Sequence, residues 1–265
     1  MLEVKNIVKT FNQGTVNEKK ALCGVTITLN DGDFVTIIGG NGAGKSTFLN
    51  AIAGVWPVDS GQIIIDGKNI TKLPEYKRAA FLGRVFQDPM NGTAATMGIE
   101  ENLALAFRRG SFRSLKSGIT NNERKLYEDM LAKLGLGLQS RMTSKVGLLS
   151  GGQRQALTLL MATLRRPKLL LLDEHTAALD PKTARKVLDL TSEIVEEQKL
   201  TALMVTHNMK DAIQMGNRLI MMHEGRIIYD VAGEEKKRLQ VEDLLHKFEE
   251  ASGEEFANDR MMLAK

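Results

Sequence analysis

Cysteine, aromatic residues and long apolar runs are all scarce in this sequence of 265 residues. The one cysteine, Cys23, excludes an internal disulfide and is typical of proteins kept in a reducing compartment. No apolar run approaches the roughly 18–20 residues of a membrane-spanning helix, and the N-terminus lacks the apolar core of a signal peptide. We therefore expect a cytosolic chain that reaches a membrane only through a partner.

Charge is nearly balanced, with a formal net charge of +4, but one stretch is strongly basic. Residues 108–125 carry six lysines and arginines and a single glutamate. This stretch has one aromatic residue, Phe112, and so offers no platform on which bases would stack; we expect no nucleic-acid partner. A solvated loop and a contact with anionic lipid headgroups beside a membrane partner both remain open for it.

Short apolar strands alternate with helical patterns along the chain, which predicts an α/β fold with a mostly parallel sheet covered on both faces. The two strands that open the chain predict an antiparallel β portion at the N-terminus. The predicted strands are Leu2–Thr10, Ala21–Leu29, Phe34–Ile38, Ile63–Ile65, Leu169–Leu172, Thr201–Thr206, Arg218–Met222 and Arg226–Asp230.

Strand patterns stop at about residue 88 and resume after about residue 165. Helical patterns take over between them, as in Ile99–Phe107 and Glu123–Leu136. We expect residues 88–165 to form a helical subdomain inserted into the α/β core. One amphipathic helix starts near Val241, so we predict a single domain over residues 1–250 and a flexible tail over residues 251–265.

A glycine-rich segment follows the apolar strand that ends at Ile38. It comprises Gly39, Gly40, Asn41, Gly42, Ala43, Gly44, Lys45, Ser46 and Thr47, and it fits the pattern G-x-x-x-x-G-K-[ST] between a strand and a helix. Glycines let successive N–H groups turn toward an anion, and the helix adds the positive end of its dipole. We therefore predict a phosphate-loop NTPase core that binds ATP, with Lys45 on the β- and γ-phosphates and the Ser46 hydroxyl on Mg²⁺.

A second apolar strand, Leu169–Leu172, ends in two carboxylates, Asp173 and Glu174. Such a strand places Asp173 at the carboxyl edge of the sheet, where it is expected to face Mg²⁺. Glu174 is then expected to act on the water that attacks the γ-phosphorus. Whether it is a full general base or mainly orients the water stays open.

The segment Ser150, Gly151, Gly152 and Gln153 lies at the start of a predicted helix, Gln153–Leu164. A serine hydroxyl and glycine amides at a helix N-terminus have the composition of a second anion site.

In this combination the motifs resemble the nucleotide-binding subunit of an ABC transporter, over roughly residues 1–250. The resemblance implies an ATPase that requires ATP and Mg²⁺. It rests on the following residues, which occur in the family's order: Phe11, Gly39–Thr47, Gln87, Leu149–Gln153, Leu169–Glu174, Ala178-Leu179-Asp180 and His207.

Further site residues follow from the resemblance alone. It implies that Phe11 stacks on adenine, although a core position is equally compatible with an aromatic residue there. Gln87 would reach Mg²⁺ or the attacking water, and His207 would contact the γ-phosphate. Ser150–Gln153 would face the γ-phosphate bound by a second copy of the chain, with Asp180 at the same seam.

The resemblance also implies an assembly. Two copies would form a homodimer through two sandwiched ATP molecules, docked beneath transmembrane permease subunits on the cytoplasmic face of the membrane. An extracytoplasmic substrate-binding protein would take part indirectly. His175 stands where the family usually has proline; together with the neighbouring motifs it is similar to a subgroup of bacterial import ATPases teamed with tryptophan- and tyrosine-type uptake systems.

Three functions remain to be compared. The leading hypothesis is the ATP-hydrolysing subunit of an importer of a small solute such as an amino acid. An exporter or lipid-extraction ATPase is the first alternative. A soluble ABC ATPase acting on ribosomes or DNA is the second, and it is disfavoured because the chain has one motif set and no long coiled coil.

Overall fold

The computed structural model describes residues 1–111 and 118–252. Its described residues fall into two units: unit 1 comprises Met1–Arg78 with Leu200–Lys265, and unit 2 comprises Ala79–Lys199. Residues 112–117 of the predicted basic stretch, and the predicted tail from residue 253, lie outside the described residues. The predicted boundaries of the inserted subdomain and of the domain stay predictions.

The first part of unit 1 contains strands of two different sheets and the helix α1. Its elements are β1 (Leu2–Phe11), β2 (Lys19–Leu29), β3 (Phe34–Ile38), α1 (Lys45–Ala53), β4 (Ser60–Ile65), β5 (Lys68–Asn69) and α2 (Glu75–Arg78). Strands β2, β1, β4 and β5 lie side by side in that order and are all antiparallel. The predicted antiparallel portion is therefore confirmed.

In unit 2 three helices follow one another along the chain between two strands that are parallel neighbours in the sheet. Its elements are β6 (Leu82–Val85), α3 (Ile99–Phe107), α4 (Asn121–Lys133), α5 (Gly151–Thr163), β7 (Leu169–Asp173) and α6 (Pro181–Glu197), with short 3-10 helices at Pro89–Gly92, Leu138–Arg141 and Val146–Leu148. Strands β6 and β7 pair in parallel. Helices α3, α4 and α5 share a core that includes Leu103, Tyr127, Leu131 and Leu157.

The second part of unit 1 completes its second sheet. Its elements are β8 (Ala202–Val205), α7 (Met209–Gln214), β9 (Arg218–His223), β10 (Arg226–Ala232), α8 (Gly233–Arg238) and α9 (Val241–Ser252). Strand β3 lies between β8 and β9 and is parallel to both, whereas β10 is antiparallel to β9. All five residues of β3 are buried, as expected of a central strand covered on both faces.

The C-terminal helix packs as its amphipathic pattern predicts. Leu244 and Phe248 of α9 are buried against Met209, Leu219 and Val231 of unit 1. Among the residues that the structure describes, no helix combines the length and the apolar character needed to cross a bilayer.

Candidate functional site

The predicted phosphate loop joins β3 to α1 and is shaped by backbone contacts that exclude side chains. Gly39 has φ +152°, and a Cβ there would lie 2.2 Å from the Met222 carbonyl oxygen. Gly44 has φ +99°, and a Cβ there would lie 2.6 Å from the Ala21 carbonyl oxygen. Only glycine fits both positions without moving the neighbouring backbone.

Lys45 is the first residue of α1, and its side chain folds back over the loop. It is buried, and its Nζ donates to the carbonyl oxygens of Gly39 (2.7 Å) and Gly40 (3.1 Å). The helix N-cap is Gly44, which has no side chain to occupy the first amides of the helix. Ser46 is exposed beside it. A cation, helix amides and a hydroxyl thus lie together, which suits a phosphate group.

The loop is braced by a turn that the sequence motifs do not include. The N–H of Gly225, between β9 and β10, donates to the Ala43 carbonyl oxygen (3.0 Å), and the Cys23 N–H donates to the Gly225 carbonyl oxygen (2.9 Å). Gly225 has φ +73°, and a Cβ there would lie 2.6 Å from the Ala21 carbonyl oxygen. The Glu224-Gly225 pair reads as a hairpin turn in the sequence, but its contact with the loop depends on the tertiary fold.

Phe11 is the last residue of β1. Its ring packs edge-on against Trp56, with 4.9 Å between ring centroids. In the sheet register it pairs with Lys19, whose Nζ lies 3.3 Å from where a Cβ of Gly42 would be. Adenine stacking on Phe11 stays a prediction. Lys19 is a cation near the loop that belongs to none of the sequence motifs.

His207 and the phosphate loop leave neighbouring parallel strands at matching positions. Ile37 of β3 pairs with Val205 of β8, and the Thr206 N–H donates to the Ile37 carbonyl oxygen (3.1 Å). Gly39 and His207 each lie two residues beyond that register pair, and the His207 side chain is exposed. Unit 1 therefore brings the loop and this histidine to one sheet edge.

Unit 2 arranges its own strand-end residues in the same way. Val85 of β6 pairs with Leu172 of β7, so Gln87 and Glu174 each lie two residues beyond that pair. Gln87 is exposed and Glu174 is partly buried.

Asp173, the last residue of β7, is paired with a cation on the neighbouring strand. Its Oδ2 lies 3.7 Å from Nη2 of Arg84, and the Arg84 guanidinium lies 4.5 Å from the centre of the Phe86 ring. The sequence motifs do not identify Arg84, because its partner carboxylate lies 89 positions further along the chain.

The turn after β7 holds a buried histidine. His175 is 2% exposed, and burial lowers its pKa from 6.5 to about 4, so the imidazole is neutral near pH 7. Glu174, the residue before it, has φ +45°, a left-handed conformation that is costly for a residue with a side chain.

The segment Ser150–Gln153 begins α5 with a capping box. The Ser150 hydroxyl accepts from the Gln153 N–H (3.3 Å), and the Gln153 Oε1 accepts from the Ser150 N–H (3.2 Å). Helix α5 therefore begins at Gly151 rather than at the predicted Gln153, because Ser150 is its N-cap. Ser150 and Gly151 are exposed.

Gly152 has a packing reason for its lack of a side chain. A Cβ there would lie 2.2 Å from Cγ2 of Thr183 on α6. Gly151 is less constrained, with the tip of Leu179 at 3.3 Å. One glycine of this segment therefore lets two helices approach closely, whichever ligand the segment binds.

Asp180 is the N-cap of α6. Its Oδ1 accepts from the Thr183 N–H (3.1 Å), and the hydrogen bonds from Thr183 hold the pKa of this carboxyl below its usual range. The side chain is exposed, as a residue at a subunit seam would be before assembly.

Gln155 links α5 to the segment that carries Gln87. It is fully buried, and its Nε2 donates to the Phe86 carbonyl oxygen (3.2 Å). Gln155 thus holds the backbone one residue before Gln87, a link that spacing in the sequence does not reveal.

Each unit carries oxygen donors of the kind that Mg²⁺ prefers. They are the Ser46 hydroxyl in unit 1, and the Asp173 carboxylate and the Gln87 amide in unit 2. Among the described residues there is no group of three or more His, Cys, Asp and Glu side chains able to hold a metal. Mg²⁺ usually takes one or two carboxylates together with waters and substrate phosphates, so it needs no such group.

Comparison with known proteins identifies a family. The model of the family described as "ABC transporter" matches residues 22–177. A tyrosine transport ATP-binding protein of Clostridioides difficile (strain R20291) is 49% identical over 251 residues, which cover 95% of this chain and 100% of the relative. A thiamine import ATP-binding protein of Chelativorans sp. (strain BNC1) is 35% identical over 201 residues, which cover 76% of each chain.

Solved structures of the same kind superpose well. A dimeric, post-hydrolysis ATP-binding cassette bound to ADP and Pi matches with a TM-score of 0.75 and 30% identity, covering 88% of this chain and 98% of that one. A nucleotide-free cassette from an ABC transporter matches with a TM-score of 0.74 and 28% identity, covering 93% of this chain and 95% of that one. The predicted phosphate-loop α/β fold is confirmed.

Proposed function

The chain belongs to the ABC transporter family as an ATP-binding cassette, and on that premise we propose that it hydrolyses ATP to drive the import of a small solute. It is an ATPase of this family. The observation that supports nucleotide binding is the loop between β3 and α1, where Gly39 and Gly44 leave no room for a side chain and Lys45 lies beside the first amides of the helix.

Each site residue has its own role in the transfer of the γ-phosphoryl group from ATP to water. Lys45 and the loop amides bind the β- and γ-phosphates, and Glu174 accepts the proton of the water that attacks the γ-phosphorus or orients that water. His207 contacts the γ-phosphate, and Gln87 contacts the water or the metal. Mg²⁺, when bound, neutralises phosphate charge; Ser46 and Asp173 are the residues that would hold it. The products are ADP and inorganic phosphate.

Replacing Glu174 with glutamine tests the catalytic assignment. Glu174→Gln keeps the size of the side chain but removes the base, so we expect steady-state ATP turnover to fall by about 100-fold or more while nucleotide still binds. Turnover and the binding of a fluorescent ATP analogue are measured on the same preparation. Wild-type turnover in this variant would show that Glu174 is not the catalytic carboxylate.

We propose that the chain works as a homodimer with two ATP molecules sandwiched between the copies. Ser150 and Gly151 are exposed at the N-terminus of α5, and Asp180 is exposed at the N-terminus of α6. In the dimer Ser150 and Gly151 would contact the γ-phosphate held by the other copy, and Asp180 would lie at the same seam. A structurally similar cassette is itself a dimer bound to ADP and Pi, which supports this assembly.

The proposed transporter adds membrane partners and a solute. Transmembrane permease subunits would hold the dimer at the cytoplasmic face of the membrane, an extracytoplasmic binding protein would deliver the solute, and nucleic acid would play no part. A tyrosine transport protein is 49% identical to this chain, so we propose an amino acid, with tyrosine as the first candidate.

Uptake measurements test the solute. Cells that carry the cognate permease and binding protein would receive either the wild-type chain or Lys45→Ala, which removes the phosphate-binding cation. We expect labelled tyrosine to accumulate only with the wild-type chain. Accumulation of a different amino acid would replace tyrosine as the proposed solute. Export of the solute, instead of its accumulation, by cells with the wild-type chain would overturn import.

A further inference from the structure

His175 makes a hydrogen bond whose direction is fixed by its partner. Its Nε2 lies 3.1 Å from Oγ1 of Thr191 on α6. The Thr191 hydroxyl donates to the Val187 carbonyl oxygen at 2.7 Å. A hydroxyl has one hydrogen, so Oγ1 can only accept from the imidazole. His175 Nε2 therefore carries the proton and donates to Thr191.

The hydrogen bond lies away from water. His175 and Thr191 are 2% and 0% exposed. A buried hydrogen bond does not compete with water, and removing its acceptor leaves the donor N–H unsatisfied. The hydrogen bond is therefore suited to holding the turn after β7 in a fixed position against α6.

The segment that this bond anchors contains Glu174 in a left-handed conformation. Its φ is +45°, and the turn that follows is closed by the Ala177 N–H donating to the Glu174 carbonyl oxygen (3.0 Å). A non-glycine residue stays in this region only where its surroundings hold it there. The segment is attached to β7 before Glu174 and to the capped start of α6 at Asp180.

We propose that His175 is a positioning residue for ATP hydrolysis: its hydrogen bond to Thr191 ties the residue after Glu174 to α6 and so holds the catalytic carboxylate in its working direction. This inference rests on the proposed catalytic role of Glu174. Proline, usual at this place in the resembled family, limits a turn through its ring; here a side-chain hydrogen bond between positions 175 and 191 supplies the restraint.

Four variants of the full-length chain test the bond. Thr191→Val removes the acceptor with almost no change of volume, His175→Leu removes the donor, and His175→Gln keeps an N–H donor on a side chain of similar reach. Thr163→Val is the matched control, because the Thr163 hydroxyl is also buried and donates to a carbonyl one helical turn back, that of Leu159 (2.9 Å), with no histidine partner.

Turnover and KM for ATP are measured at neutral pH on variants whose folding is verified by circular dichroism. We expect Thr191→Val and His175→Leu each to lower kcat about tenfold with KM nearly unchanged, since misdirected catalytic groups cost rate rather than ground-state binding. His175→Gln should keep about half of the wild-type kcat or more. A fifth variant that combines Thr191→Val with His175→Leu should be no slower than the slower of those two single variants, and Thr163→Val should match the wild type.

Each other outcome overturns the inference. A wild-type kcat in Thr191→Val shows that the bond does not matter, and this variant decides the question alone if His175→Leu does not fold. A kcat in His175→Gln as low as in His175→Leu would assign the effect to packing. A fall in kcat in Thr163→Val as large as that in Thr191→Val would do the same. If Glu174→Gln is inactive while Thr191→Val is not, this inference fails and the proposed function stands; if Glu174→Gln turns over normally, the catalytic role of Glu174 fails first.

Discussion

The loop after β3 in unit 1 and the turn after β7 in unit 2 are both held in a fixed conformation, but by opposite means. The loop is held by backbone contacts so close that only glycine fits at Gly39 and Gly44. The turn is held by side chains, with His175 on Thr191 and Asp180 capping α6. The glycine pattern of the loop is local in the sequence, although the backbone that it meets at Ala21 and Met222 is not. The side chains that hold the turn show no such local pattern.

The largest effect should come from adding one methyl group to the loop. Gly44→Ala places a Cβ 2.6 Å from the Ala21 carbonyl oxygen at φ +99°, so we expect a loss of about 3 kcal/mol in the free energy of unfolding. Gly67→Ala is the matched control: its φ is +74°, but nothing lies within 4 Å of the added atom, and about 1 kcal/mol is expected. Urea unfolding measures both.

Equal losses in these two variants would contradict the comparison. They would mean that the left-handed backbone conformation alone costs stability and that the close approach to Ala21 does not constrain the loop.

The pH dependence of stability tests the side-chain-built turn. The folded-state pKa of His175 is about 4 and its ordinary value is 6.5, so between these values the unfolded chain binds a proton that the native state does not. The free energy of unfolding should therefore fall as pH drops from about 6.5 to about 4, by roughly 3 kcal/mol from this residue.

Parallel urea titrations of the wild type and His175→Leu isolate that contribution. The difference between their unfolding free energies should shrink from neutral pH toward pH 4, because the variant has no imidazole to protonate. A difference that is constant with pH would show that His175 titrates normally and is not held in a dry site.

A smaller effect should come from the helix contact beside the predicted partner-facing segment. Gly152→Ala places a Cβ 2.2 Å from Cγ2 of Thr183, and we expect a loss of roughly 2 kcal/mol. Thr183→Ser removes that methyl group and should restore most of the stability when combined with Gly152→Ala. Gly151→Ala, which meets only the tip of Leu179, should be nearly neutral. Failure of the second substitution to rescue would show that Thr183 does not limit the approach of the helices.

The sequence predicts the loop, eight of the ten strands that the structure describes and α3, because their residue patterns are local; β5 and β6 are absent from the predicted strands. The predicted helix Ile99–Phe107 has the bounds observed for α3. Helix α6 is absent from the sequence-based predictions although Asp180-Pro181 is a typical helix start. The predicted start of α5 is two residues late, because Ser150–Gln153 fits an anion site as well as the capping box that the structure shows.

The site beyond the motifs depends on contacts that spacing does not encode. His175 is recognised in the sequence only as a departure from the family pattern; its hydrogen-bond partner, Thr191, lies sixteen positions away. The brace from Gly225 to Ala43 and the bond from Gln155 to Phe86 likewise join distant segments. These contacts exist only once the strands and helices have packed.

The central claim is that ATP joins two copies of this chain, each supplying one part of the site. The most direct measurement is analytical ultracentrifugation of Glu174→Gln with saturating Mg·ATP, with Ser150→Arg in the same background as the interface control. We predict a dimer with ATP, a monomer with ADP, and a monomer for the double variant. A monomer under all three conditions would contradict the account.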